Sequence, residues 1–378
     1  RIALGYVGRI VRVLYFSPRL TPHDRRFLNA LSETEHQVFT LQLESDEKRP
    51  DDPGLPGSIT PVTWKERPDQ GRISYPAARR RLKQIVAEIQ PDVIHAGPLH
   101  ETAFLCALAR LKPLVSMSWG SDILWQAKHN QFTRWMIEYT LRHTTVFTGD
   151  CQAVVDEAAR YGFPAEKMVL FPWGVDLAHF SPQGPAPIRE ELGWSDQFVI
   201  LSLRSWEPIY GVDVLVKGFI LAARENPALR LLLLGGGSQA AQIRALLVDA
   251  GMQDRVHLGG RRGLAELPDF YRAADVYASA SYSDGSSVSL MEALACGLPA
   301  LVSDIPSDRE WVQPQENGWL FSTGNPLAVK AGILQVYENR ANLPDIRRRA
   351  RLTAEERADW TQNFPKLLDA YHMAVSAV

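Results

Sequence analysis

The stretch Tyr282-Ser283-Asp284-Gly285-Ser286-Ser287-Val288-Ser289-Leu290-Met291-Glu292-Ala293-Leu294-Ala295-Cys296-Gly297-Leu298-Pro299 reads as a small-residue turn that opens a helix. Gly297 and Pro299 supply the usual stop signals at its far end. The apolar run 276–278 just before the turn reads as a buried strand. At such a helix start the backbone N–H groups near Gly285, Ser286, Ser287 and Val288 have no intrahelical acceptor. Together with the positive end of the helix dipole they suit an anion such as phosphate. Asp284 precedes the helix and Glu292 lies inside it, so two carboxylates flank the cradle and suit hydroxyl-rich groups. The competing reading makes Asp284 a helix cap and Glu292 a solvated surface residue.

Outward from this stretch the same alternation continues. Apolar strands are expected at 11–16, 37–43, 92–95 and 114–118, and again at 198–203, 229–234, 256–258, 276–278 and 300–303, with amphipathic helices between them. Such βα alternation predicts an α/β protein with two doubly wound parallel sheets, whose ligand crevice lies outside the strand C-termini. Residues 45–69 are polar and rich in Pro and Gly, and read as a long surface excursion. Residues 181–196, with Pro182, Pro185 and Pro187, read as an interdomain linker. The expected organisation is an acceptor domain over 1–183, a donor domain over 184–355, and an amphipathic segment over 356–378 packing back towards the first domain.

The 378 residues are 46% hydrophobic and 22% charged, with a formal net charge of −2. This is ordinary globular composition, and excludes wholesale disorder, coiled coil and a general nucleic-acid binder. No apolar run approaches the ~18 residues of a membrane span, and the first ten residues lack a signal-peptide core. Cys106, Cys151 and Cys296 are far apart, which predicts a reducing, cytoplasmic setting with neither a disulfide framework nor a zinc site. No metal motif is visible. The run Arg79-Arg80-Arg81-Leu82-Lys83 begins a basic amphipathic helix, either a solvated face or a peripheral contact with an anionic membrane at the inner face.

The opening stretch resembles the donor-site signature of GT-B glycosyltransferases of family 4, which has an acidic residue, seven residues, Glu, and then a Gly-x-Pro end. Other segments resemble the family in the same order. These are Phe171-Pro172-Trp173-Gly174-Val175-Asp176 with Phe180, Gly259-Gly260-Arg261 with 267–276, and Asn317-Gly318-Trp319-Leu320-Phe321. The resemblance covers nearly the whole chain and is best over 170–322. It implies a GT-B fold of two Rossmann-like domains. It also implies a retaining, metal-independent transfer of a sugar from a UDP- or GDP-sugar, with no other cofactor, to a glycan, lipid or small-molecule acceptor.

By the same resemblance, Glu292 would bind the nucleotide ribose, Asp284 the donor sugar, and the N–H groups of 285–288 the diphosphate. Arg204 would neutralise the leaving diphosphate, for which a bidentate guanidinium is suited; the plain alternative is a surface salt bridge. Where members carry Lys before a Gly this chain has Tyr210, and where they often carry His it has Trp119. Tyr210 can donate a hydrogen bond, and Trp119 can stack on a sugar or simply pack. Gly235, in the turn Gly235-Gly236-Gly237, and Arg261 are placed at the nucleotide pocket, and Arg19, His95 and His100 on the acceptor or phosphate side. The rival functions are a non-catalytic nucleotide-sugar binder and a nucleotide-sugar epimerase on the same fold.

Overall fold

The computed structural model describes residues 10–43, 54–64 and 74–378. The chain divides into two compact units, 1–171 with 361–378, and 172–360. The expected linker is not one. Within 181–196 the chain forms the helix Pro187–Glu191, and Trp194 enters a core of the second unit. Arg351 fastens the preceding stretch by donating to the carbonyls of Leu177 and Phe180, and Phe180 packs on Tyr271. Its prolines start a helix and turn the chain instead of freeing it. The chain passes between units at Phe171–Pro172 and Trp360–Thr361, displaced from the expected boundaries at 183 and 356.

In the first unit, seven parallel strands are β1 (Arg12–Ser17), β2 (Gln37–Gln42), β3 (Ile59–Val62), β4 (Val93–Ala96), β5 (Leu114–Met117), β6 (Val146–Gly149) and β7 (Met168–Leu170), in the order β3-β2-β1-β4-β5-β6-β7. β3 lies inside the stretch expected to be a surface excursion. It is a short edge strand holding Pro61, and an edge is where a sheet tolerates proline. The remainder of that expectation falls largely outside the described residues, as do residues 1–9. The C-terminal helix Pro365–Ser376 belongs to this unit: its Tyr371 hydroxyl lies 2.7 Å from His95 Nδ1 on β4.

The second unit has six parallel strands, β8 (Phe198–Ser202), β9 (Leu229–Leu234), β10 (Val256–Gly260), β11 (Val276–Ser279), β12 (Ala300–Ser303) and β13 (Gly318–Phe321), in the order β10-β9-β8-β11-β12-β13. Alternate residues of one strand serve opposite faces. Ile200, Leu231 and Leu233 join the core under helix Val212–Glu225, whereas Val199, Leu201, Leu232 and Leu234 join the core under helix Val288–Ala295. Both faces are covered, so the strands are continuous apolar runs. From β8 the chain winds one way through β9 and β10, then returns to place β11 on the other side. The β8/β11 boundary is therefore the topological switch point of this sheet, where a doubly wound fold opens a crevice at its strand ends.

Candidate functional site

Sequence positions 204 and 284 meet because β8 and β11 are neighbours. Arg204 follows β8, and Asp284 lies in the loop after β11. Arg204 Nη2 is 2.7 Å from Asp284 Oδ2, and Arg204 Nη1 donates to the hydroxyls of Ser287 at 3.0 Å and Ser289 at 3.2 Å. The guanidinium carbon lies 4.2 Å from the ring centre of Tyr210, a cation–π contact. Burial opposes the charge on Arg204. Asp284, Tyr277, Tyr210 and Asp308 outweigh that, and its pKa sits above the ordinary value. Burial pushes Asp284 up, and Arg204, with hydrogen bonds from Ser287 and Gly285, pulls it back towards the charged form. Arg204 is thus an interior cation at the switch point, and the surface-salt-bridge alternative is set aside.

The helix Val288–Ala295 starts beside this pair. Ser287 is its N-cap, and Ser is a residue type that normally spends its side chain on capping. Here the hydroxyl faces Arg204 and Ser289 instead, and makes no cap bond. Met291 N–H is the first to reach a carbonyl of the helix start, that of Ser287 at 3.0 Å. Val288 and its neighbours are thereby left with an uncapped positive helix end. Gly285 differs from expectation, since its N–H donates to Asp284 Oδ1 at 3.1 Å. Ser286 accepts from Trp311 Nε1 at 3.3 Å.

Glu292 is 7% exposed, so the solvated-surface reading does not hold. Its Oε2 accepts from the Tyr271 hydroxyl at 2.7 Å, and that phenol is held protonated by burial and by the facing carboxylate. Gly235 and Gly211 are glycines for steric reasons. Gly235 has φ +100°, and a Cβ there would lie 2.8 Å from the Arg204 carbonyl. Gly211 has φ +56°, and a Cβ there would collide with the Ala280 carbonyl. Gly235 and Gly236 pack on the loop that carries Arg204, where Trp206 N–H donates to Gly236 O at 3.1 Å. Arg261 is exposed and lies near Glu207, whose pKa is lowered by hydrogen bonds from Ser238 and, more weakly, by Arg261.

The first unit holds the other predicted residues. His95 is buried and engaged with Tyr371; burial depresses its pKa to about 3, so it is a neutral structural histidine rather than a stand-in for an acid or base. His100 is half-buried, with Nε2 3.4 Å from Glu101 and a buried Nδ1 that has no hydrogen-bond partner among the described residues. Trp119 is half-buried, and its Nε1 lies 3.2 Å from the point a Gly97 Cβ would occupy. Asp122 organises this loop, accepting from Ser118 Oγ and the N–H groups of Leu99, Trp119 and Ile123. Arg19 is exposed just beyond β1, and its carbonyl accepts from Ser17.

Four site groups escaped the sequence reading: Ser289, Tyr277, Tyr271 and Asp308. Tyr277 Oη lies 2.8 Å from Ser289 Oγ, completing the ring of hydroxyls around Arg204. Asp308 is buried, and burial followed by the nearby Asp284 charge holds its pKa well above the carboxylate range. Tyr271 falls in the family-like segment 267–276, where the resemblance assigns it no role, and a lone acid in Pro306–Arg309 carries no periodic signal. Among the described residues, no group of three or more His, Cys, Asp or Glu is placed to hold a metal ion, and no helix is long and apolar enough to cross a membrane.

Two family models match the chain. The family described as Glycosyltransferase Family 4 matches residues 23–179, and that described as Glycosyl transferases group 1 matches 186–358. A D-inositol 3-phosphate glycosyltransferase of Xylanimonas cellulosilytica is 34% identical over 230 residues, 57% of this chain and 53% of that protein. The GtfA subunit of a UDP-N-acetylglucosamine–peptide N-acetylglucosaminyltransferase of Streptococcus pneumoniae is 29% identical over 50% of this chain and 37% of its own. The chain spans about half the length of the first curated relatives it matches. In fold it is similar to HepE of Anabaena in complex with UDP, with a TM-score of 0.79, 19% identity, and 96% and 99% of the two chains covered. It is also similar to sucrose-phosphate synthase of Thermosynechococcus elongatus, with a TM-score of 0.82, 18% identity, and 97% and 100% covered. With both family matches and the two parallel-sheet units in hand, the chain belongs to family 4 of the glycosyltransferases and has the GT-B fold.

Proposed function

We propose that this chain transfers a sugar from a nucleoside-diphosphate sugar to an acceptor hydroxyl, with retention at the anomeric carbon and without a metal ion. The observation that carries the proposal is the largely enclosed Arg204, its side chain 12% exposed, beside an uncapped helix start at the β8/β11 switch point. A diphosphate seated there would accept from Arg204 and from the first N–H groups of Val288–Ala295, in place of the contacts Arg204 makes with Asp284 and the serine hydroxyls. Asp284, released from the guanidinium, would face the sugar hydroxyls, and Glu292, oriented by Tyr271, the ribose. HepE was solved with UDP and with UDP-glucose, which supports a nucleotide-sugar donor.

In the proposed step the bond between the anomeric carbon and the phosphate oxygen breaks. The acceptor oxygen bonds to the same face, and its proton passes to the departing phosphate oxygen. The protein's main contribution would be fixed positive potential at the leaving oxygens. No protein base is needed in this scheme, which accommodates Trp119 and the structural His95. Glu292→Ala should weaken binding of free nucleoside diphosphate by about 1–3 kcal/mol in calorimetric titration, the scale of a charged hydrogen bond. Unchanged affinity would remove Glu292 from the site. Release of free sugar on incubation with candidate donors separates this reading from a pure binder, which would bind without release.

A further inference from the structure

The first unit carries an aromatic surface that the site above does not use. Phe132 and Trp135 are 58% and 47% exposed, and Tyr75 is 38% exposed. The rings of Phe132 and Trp135 stack with centroids 5.6 Å apart. Trp135 meets buried Phe104 edge-on at 5.7 Å, and Tyr75 meets the same ring from a different helix at 5.8 Å. One buried ring thus joins the starts of helices Tyr75–Ile89 and Gln131–His143 into a single face. Isolated exposed apolar residues need no explanation, but three large exposed rings, two stacked on each other and one joined to them through Phe104, mark an interaction site.

The charge beside these rings is basic. Helix Tyr75–Ile89 holds Arg79, Arg80, Arg81 and Lys83 against the single acid Glu88. Tyr75, Arg79 and Lys83 follow a four-residue spacing and form one ridge, and Arg79, Arg80 and Lys83 are exposed. Of the four, only Arg81 has an ion-pair partner among the described residues, Glu88 at 3.7 Å. On the other helix Arg134 and Arg142 share one acid, Glu138. Each helix leads into the N-terminal end of its next strand, β4 or β6, so both begin on the side where the parallel strands of this unit end. The loops carrying His100 and Trp119 leave β4 and β5 on that side too.

We propose that this face seats the first unit on an anionic lipid bilayer, with Tyr75, Phe132 and Trp135 in the headgroup region and Arg79, Arg80 and Lys83 against lipid phosphates. Trp and Tyr favour that interface because each ring has an apolar body and a polar edge, and a basic ridge matches its negative potential. A second copy is a poorer occupant, because a two-fold contact would set this basic ridge against itself. The acceptor hydroxyl would then be lipid-borne, a consequence that rests on the transfer reading, whereas the docking itself does not.

The test is co-sedimentation of the full chain, without nucleotide, with vesicles of phosphatidylcholine alone or with about a third phosphatidylglycerol. Partition into anionic vesicles should exceed that into neutral ones about tenfold and fall with salt. The pair Arg79→Glu with Lys83→Glu, and separately Phe132→Ala with Trp135→Ala, should each reduce it about tenfold or more. Equal partition into both vesicle types, no partition, or unaltered partition of both variants overturns the proposal. So does a concentration-dependent dimer that Phe132→Ala with Trp135→Ala abolishes while vesicles go unbound. Nucleoside-diphosphate affinity measured on the same preparations separates the two readings. Vesicle binding without nucleotide binding sinks the transfer reading alone, and the reverse sinks the docking alone.

Discussion

The ring of Tyr210 packs against the Arg204 guanidinium, which gives this departure from the family pattern a physical role. A lysine there would set an ammonium beside the guanidinium and replace attraction with repulsion. Tyr210→Phe keeps the ring face and should leave transfer within about threefold of wild type. Tyr210→Lys should lower it by about tenfold, on the scale of a partly buried cation–π contact. Rates of donor turnover for the two variants check this, and a gain in Tyr210→Lys would mean that the position lacks charge. The sequence announced Asp284 and Glu292 through their spacing in one motif, and Arg204 through its resemblance to a family Arg just after a strand. It could not announce that Arg204 and Asp284 pair, or that Ser287 serves Arg204 instead of its own helix, because those facts come from the adjacency of β8 and β11.

Most strands covered on both faces were legible, because burial on both sides leaves an unbroken apolar run, as in Leu231 to Leu234. β3 and β7 were not, for they are short edge strands with partial exposure. β6 was missed because Val146 and Phe147 stand alone among threonines. The stretch 181–196 misled for a different reason: proline content signals a stiff chain, and whether a stiff chain links domains or packs on one depends on what grips it. Arg351 is that grip, donating to the carbonyls of Leu177, Phe180 and Ala295. Arg351→Ala leaves these acceptors unpaired and should destabilise the second unit by about 2–4 kcal/mol in chemical denaturation. A loss within about 0.5 kcal/mol, the range of ordinary surface changes, would show the grip to be dispensable.

At the scale of the whole molecule, residues 361–378 return to the first unit, and His95 with Tyr371 fastens them there. A histidine whose folded pKa is about 3 against 6.5 must be neutral in the fold. The unfolded chain therefore binds the extra proton, and stability is lost as pH falls through 6.5 towards 3. At pH 4.5 the loss amounts to about 2–3 kcal/mol. His95→Gln should flatten the acid limb of a stability–pH profile, and an unchanged limb would mean that His95 titrates normally. The central claim is that the switch point of the second sheet holds a leaving diphosphate on Arg204. Its most direct measurement is the rate of sugar transfer or donor hydrolysis by Arg204→Ala at saturating nucleotide sugar. The account predicts a fall of about 10²–10³-fold, the scale of losing one preorganised electrostatic donor. Turnover equal to wild type would contradict it.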